Sequence, residues 1–171
     1  MPRALGHRVA QFLHPYEWDR VPGCGSGGNM QTIRELVKDR DIYTMDAGQT
    51  VLDAARFMMQ HNIGAVPVLR DGKLVGIFSE RDMMKRVVAE QRDPAKTKVS
   101  EVMTANPLVV GPDESFEHCM VLMKQHGFRH LPIWDGRELM GLLSLRDLLL
   151  KDLEEKDGEV KMMRAYIHTN T

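Results

Sequence analysis

The feature that most constrains this chain is an internal repeat: sliding the sequence by 65 residues lays positions 46–88 on positions 111–153 without a gap. The phrase GIFSERD, from Gly76 to Asp82, returns as GLLSLRD, from Gly141 to Asp147. Identities recur at Met58/Met123, Gln60/Gln125, His61/His126, Pro67/Pro132 and Leu74/Leu139, and Val66, Val68 and Ile77 meet apolar partners in Leu131, Ile133 and Leu142. A unit this small, with two helices on a short sheet, leaves one sheet face uncovered, and a second copy can bury it. The expected fold is therefore α/β of the α+β type, two copies packed sheet to sheet about a pseudo-twofold axis. Such pairing creates two related clefts where strand ends from both copies meet.

Each copy reads β-α-β-β-α. Apolar strands are predicted at Ile42–Met45 and Leu108–Val110, followed by helices opening at Thr50 and Ser115. Thr50 with Asp53 three residues on is a capping-box variant, and Val51, Ala54, Ala55 and Met58 keep a helical period. Strands Ala65–Leu69 and His130–Trp134 run into Asp-Gly turns at Asp71 and Asp135, then into strands Leu74–Phe78 and Leu139–Leu143. Closing helices are predicted over Glu80–Glu90 and Leu145–Glu155, and the polar stretch from Gln91 to Lys96 is the linker.

The 171 residues are 43% hydrophobic and 27% charged, the composition of a soluble globular protein. A formal net charge of -1 gives no bulk electrostatic reason to expect nucleic-acid binding, so any phosphate site must be local. No apolar run reaches the roughly 18 residues of a membrane span. Cys24 and Cys119 form neither a disulfide framework nor a CxxC pair, so a reducing, cytoplasmic setting is expected. His126 and His130 straddle a helix-strand break, and no metal site is expected there. Residues 1–29 read as a flexible N-terminal extension, and residues 157–171 as a tail with Val160, Met163 and Ile167 at near-helical spacing. The first sixteen residues carry basic but no acidic side chains, which leaves an organelle-targeting reading open, and Met30 reads equally well as a start. The GxGxxG spacing at Gly23–Gly28 follows no apolar strand and reads as linker.

The chemistry concentrates where strand meets helix. Ser79 and Asp82, with Ser144 and Asp147 in the second copy, are fully accounted for as helix caps; the same geometry also suits a site in which free helix amides and the hydroxyl hold phosphate while the carboxylate accepts from a ribose diol. Arg81 and Arg146 recur where capping demands no arginine, and guanidinium pairs well with phosphate, although a solvated first-turn arginine also accounts for them. At the strand entrances Gly64, Ala65, Val66 and Pro67 are small where Arg129, His130, Leu131 and Pro132 are bulkier and basic, so the two clefts are expected to differ. Thr44 is placed to hydrogen-bond a base edge.

These phrases, IGAVPVLRDGKLVGIFSERDMMKRV and FRHLPIWDGRELMGLLSLRDLLLKDL, resemble a tandem pair of cystathionine β-synthase (CBS) domains, a Bateman module. The resemblance covers Thr32 to Leu153 and divides the chain into a first CBS domain at 30–92 and a second at 93–156. It implies a stand-alone regulatory module rather than an enzyme, binding an adenosine-containing ligand such as AMP, ADP, ATP or S-adenosylmethionine. It also implies a homodimer, an unidentified regulated protein as partner, and ligand contacts from the strand entrances and both Ser-x-x-Asp phrases, with Arg129 and His130 on phosphate. The alternative is a structural or protein-interaction module with empty clefts.

Overall fold

Four helices begin on a hydroxyl side chain that accepts a hydrogen bond from the backbone three residues on. Asp53 N–H donates to Thr50 Oγ1 (3.2 Å), and Thr50 N–H donates back to Asp53 Oδ2 (3.2 Å). Ser79 with Asp82 and Ser144 with Asp147 repeat this reciprocal box, and Ser115 accepts from His118 N–H (3.2 Å). Each box satisfies donors that a helix start otherwise leaves open. The two longer central helices also stop alike, at Asn62 (φ 52°) and Gly127 (φ 68°), both left-handed.

The computed structural model describes residues 33–157 except 39 and 155. In chain order the elements are α1 (Ile33–Val37), β1 (Met45–Asp46), α2 (Val51–His61), β2 (Ala65–Arg70), β3 (Lys73–Ser79) and α3 (Glu80–Met83). They continue with α4 (Val99–Val102), β4 (Thr104–Ala105), α5 (Phe116–His126), β5 (His130–Trp134), β6 (Leu139–Ser144) and α6 (145–154). One sheet has the order β1-β2-β3-β4 and the other pairs β5 with β6. The β2-β3 hairpin pairs Ala65 with Ser79 and turns through Asp71 (φ 51°) and Gly72 (φ 74°), the doubly left-handed pair that an Asp-Gly hairpin supplies. In the same register β5-β6 pairs His130 with Ser144.

Three predicted elements differ. The first strand is Met45–Asp46, since Ile42 stands 46% exposed at a cleft and does not pair in the sheet. Leu108–Val110 forms no strand; Val110 alone bridges Ile133, between prolines at 107 and 112 that have no amide to donate. The helix expected over Glu80–Glu90 is α-helical only to Met83 and then widens into a π turn over Met84–Val88. Within that turn Arg86 reaches both Asp82 (3.3 Å) and the Val102 carbonyl (2.8 Å).

The two cores exchange their covering segments. Val51, Ala54, Met58, Val66, Val68, Phe78 and Val87 form the first core, closed by Val99 and Val102 from beyond the linker. Val110, Cys119, Met123, Leu131, Ile133, Leu143 and Leu148 form the second, closed by Ile33 and Val37 of α1. The repeats follow one another in sequence while the packing crosses between them. The recurring glycine explains how the covers fit: a Cβ on Gly76 would lie 2.3 Å from Met103 Sδ, and one on Gly141 would lie 3.3 Å from Val37 Cβ.

Ile33, fully buried ahead of the first repeat, is therefore part of the second core. Ile33→Ala is expected to cost about 2–5 kcal/mol through the cavity it leaves. Gly76→Ala should cost about 1–3 kcal/mol by overpacking against Met103. Urea unfolding measures both, and an unchanged midpoint for Ile33→Ala would remove α1 from the core.

Candidate functional site

Between the repeats lies a cleft of about 1010 Å³. The segment before β1 contributes Arg40, Asp41, Ile42 and Tyr43; the β2 entrance contributes Ile63, Gly64 and Ala65; the β5 entrance contributes Arg129 and His130. The β6-α6 junction contributes Ser144, Arg146 and Asp147. Backbone bonds from Glu80 N–H to Gly64 O (3.1 Å) and from Leu145 N–H to Arg129 O (2.8 Å) tie each strand entrance to its own helix start. A Cβ on Gly64 would lie 3.9 Å from His130 Cε1, so the two entrances face each other.

Asp147 divides its carboxylate between two tasks. Oδ2 accepts from Ser144 N–H (2.9 Å) and from the Ser144 hydroxyl (2.5 Å), which is the cap; Oδ1 pairs with Arg40 (2.7 Å), which is the cleft. Capping and ligand contact are therefore compatible in one side chain. Burial pushes the carboxyl's pKa up, but the Ser144 hydrogen bonds and Arg40 outweigh it and hold it below the ordinary 3.8. His130 is held below 6.5, chiefly by burial, with Asp147 opposing and Arg129 adding to the shift. At neutral pH the cleft thus presents a carboxylate, a neutral imidazole and the guanidinium groups of Arg40, Arg129 and Arg146.

Seven expected site residues meet in this cleft: Gly64, Ala65, Arg129, His130, Ser144, Arg146 and Asp147. Thr44 does not line it. Nor do Val66 and Leu131, fully buried in the two cores, or Pro67 and Pro132, buried within β2 and β5. Gly64-Ala65 and Arg129-His130, expected beside different clefts, both line this one, because β2 and β5 enter it side by side. Ser79, Arg81 and Asp82 lie outside it. Arg81 reaches across to the Gly127 carbonyl (3.3 Å), and Asp82 Oδ1 accepts from Thr104 Oγ1 (3.3 Å) and pairs with Arg86 of its own helix (3.3 Å). Arg40, Asp41, Ile42 and Tyr43 were not expected; they precede β1 in a stretch whose apolar pair reads as strand.

A family model for the CBS domain matches residues 33–89 and 99–154. The chain belongs to the CBS domain family. CBS domain-containing protein YhcV of Bacillus subtilis is 39% identical over 129 residues, covering 75% of this chain and 91% of YhcV. A putative signal-transduction protein with CBS domains from Burkholderia ambifaria superposes with a TM-score of 0.70 at 36% identity, covering 72% of this chain and 95% of that one. The CBS domain pair of protein MJ0100, solved with 5′-methylthioadenosine and S-adenosyl-L-methionine, shares the fold (TM-score 0.67, 23% identity, 74% of this chain and 98% of that one).

Burial, with Glu114 nearby, pushes the Cys119 thiol up to about 12, so it is inert as a nucleophile at neutral pH. Among the described residues no group of three His, Cys, Asp or Glu side chains is arranged to hold a metal ion, and no helix is long and apolar enough to cross a membrane. The expected tail residues Val160, Met163 and Ile167 lie outside the described residues, as do residues 1–29.

A histidine kept neutral by the fold contributes stability that is intact above its unfolded value and is lost as pH falls from 6.5 towards the depressed folded value. The His130 imidazole should therefore titrate below 6.5 by NMR, and lower still in Asp147→Asn, which removes the opposing carboxylate. His130→Gln should flatten the acid-side stability loss. A wild-type midpoint at or above 6.5 would refute the buried, neutral assignment.

Proposed function

We propose that this CBS pair is a regulatory module whose cleft at Asp147 binds an adenosyl ligand of the AMP, ADP, ATP or S-adenosylmethionine class. The observation that carries the reading is the divided carboxylate: Oδ2 caps α6 while Oδ1 faces the cleft, placed to accept from a ribose hydroxyl. The start of α6 and the Arg129 and Arg146 side chains suit phosphate, and Gly64 and Ala65 leave room for a planar base beside Ile42, Tyr43 and Ile63. That a CBS pair of the same fold is complexed with methylthioadenosine and S-adenosylmethionine supports the class of ligand.

Ligand bridging the two repeats shifts their arrangement by its differential affinity for two states. The module acts by binding and not by catalysis. The receiver is a homodimer partner or a separate regulated protein, and the exposed Met59, Met84, Val88, Val121 and Leu153 supply apolar surface for such a contact. A reduced, cytoplasmic setting suits the unpaired Cys119. Neither nucleic acid nor membrane is a proposed partner.

The competing reading treats both Ser-x-x-Asp phrases as caps alone. Isothermal titration against AMP, ATP, NADH and S-adenosylmethionine separates them. At least one adenosyl ligand is expected to bind more tightly than about 1 mM, equivalent to roughly 4 kcal/mol. Asp147→Asn, which loses the charge at Oδ1, should weaken it by roughly tenfold or more. No binding tighter than millimolar would end the adenosyl reading, and binding unmoved by Asp147→Asn would relocate the site.

A further inference from the structure

Asp147 has almost no acceptor capacity to spare. A carboxylate offers about four lone-pair sites. In this cleft Ser144 takes two through its amide and hydroxyl, and Arg40 takes a third at 2.7 Å. A ribose diol brings two donors to the one site that remains. Binding therefore requires Arg40 to leave, or one hydroxyl to stay unpaired, and an unpaired buried polar group is costly.

Arg40 is built to move. It stands at the rim between α1 and β1 with a side chain 46% exposed, while its partner carboxylate is 20% exposed. The charged side chains lining the same cleft are Arg129, Arg146 and Asp41, and the Glu80 carboxylate stands beside Gly64, so a displaced guanidinium finds two like charges and two acids there. A ligand carrying its own anion gives Arg40 a replacement for Asp147 at the place where the diol displaces it. Among the described residues no such rim arginine guards the first repeat, where Asp82 Oδ1 is held by Arg86 of the same helical segment and by Thr104.

We propose that Arg40 is the specificity-determining residue of this cleft: it occupies Asp147 until a ligand phosphate draws it away, so phosphorylated adenosyl ligands bind and unphosphorylated or cationic ones are disfavoured. This rests on the adenosyl reading and refines it. With AMP the guanidinium exchanges a carboxylate for a phosphate, a charge-assisted contact of equal or better geometry. With adenosine the ion pair is broken and nothing replaces it. S-adenosylmethionine brings a carboxylate but also an ammonium and a sulfonium, so its net positive charge opposes the three guanidinium groups of the cleft.

Isothermal titration of the full chain with AMP, adenosine and S-adenosylmethionine tests this, comparing wild type with Arg40→Gln and Arg40→Lys. Wild type should prefer AMP to adenosine by more than about tenfold, the scale of one charge-assisted hydrogen bond. Arg40→Gln should narrow that ratio by roughly tenfold from both sides, adenosine binding more tightly and AMP more weakly. Arg40→Lys keeps the charge and should hold a ratio between the two. A ratio unchanged within about twofold, or equal weakening of both ligands, overturns the role of Arg40 while leaving the adenosyl site standing. Wild type that binds none of the three overturns both.

Discussion

The close approach at Gly76 and Gly141 is the constraint on which the rest of this molecule depends. Each glycine lies inside the second strand of a hairpin, where a side chain would be worth more to the sheet than its absence. The position is left empty because Met103 and Val37 press against it from the segments that close each core. Those segments are exchanged along the chain: α1, ahead of the first repeat, covers the second core, and α4, beyond the linker, covers the first. Neither repeat is a closed unit without chain that belongs, by sequence, to its neighbour's side of the boundary. The cleft inherits this crossing, because the chain leaving α1 passes Arg40, Asp41, Ile42 and Tyr43 along its wall before β1 begins.

The Ser-x-x-Asp phrase shows how one short motif serves both stability and recognition. An N-terminal box needs a single carboxylate oxygen, and at Ser79 and at Ser144 it takes Oδ2. The other oxygen is then set by whatever the tertiary fold brings near. In the first copy it is Thr104 together with Arg86, a partner inside the same helical segment, so the charge is neutralised locally. In the second copy it is Arg40, from a different element and at the edge of an open cleft. The shared Ser-x-Arg-Asp phrase thus yields a closed arrangement in one repeat and an exchangeable one in the other.

Much of this was legible because it is local. Capping pairs sit three residues apart, Asp-Gly turns set their own backbone, and alternation or helical period marks the strands and long helices; the family, the hairpins and seven of the residues lining the cleft followed from these. What was not legible depends on long-range packing. Nothing in Ile33 or Val37 says which core they join, since both read as an ordinary apolar helix ahead of the first repeat. Ile42 and Tyr43 read as strand because apolar residues before a sheet usually are, yet the tertiary fold spends them on the cleft wall. Arg40 carries no pattern at all, and its partner lies far along the chain. Val66 and Leu131 were drawn into the site by adjacency to Ala65 and His130, although strand alternation sends neighbours to opposite faces.

The side-chain inequality between the two strand entrances acquires a different meaning once both are seen in one cleft. Gly64-Ala65 and Arg129-His130 both line this cleft, small on one side and basic on the other. A perfectly symmetric pair would have offered two glycine walls, open but uncharged, or two basic walls, charged but crowded and mutually repelling. Divergence of one copy escapes both outcomes, since room for a flat base and charge for an anion can then occupy opposite sides of the same space. His130 completes the arrangement by staying neutral: burial removes a charge that would otherwise stand beside Arg129, while the imidazole keeps its capacity to donate or accept a hydrogen bond. The duplication supplied the frame, and the departures from it supply whatever selectivity the cleft has.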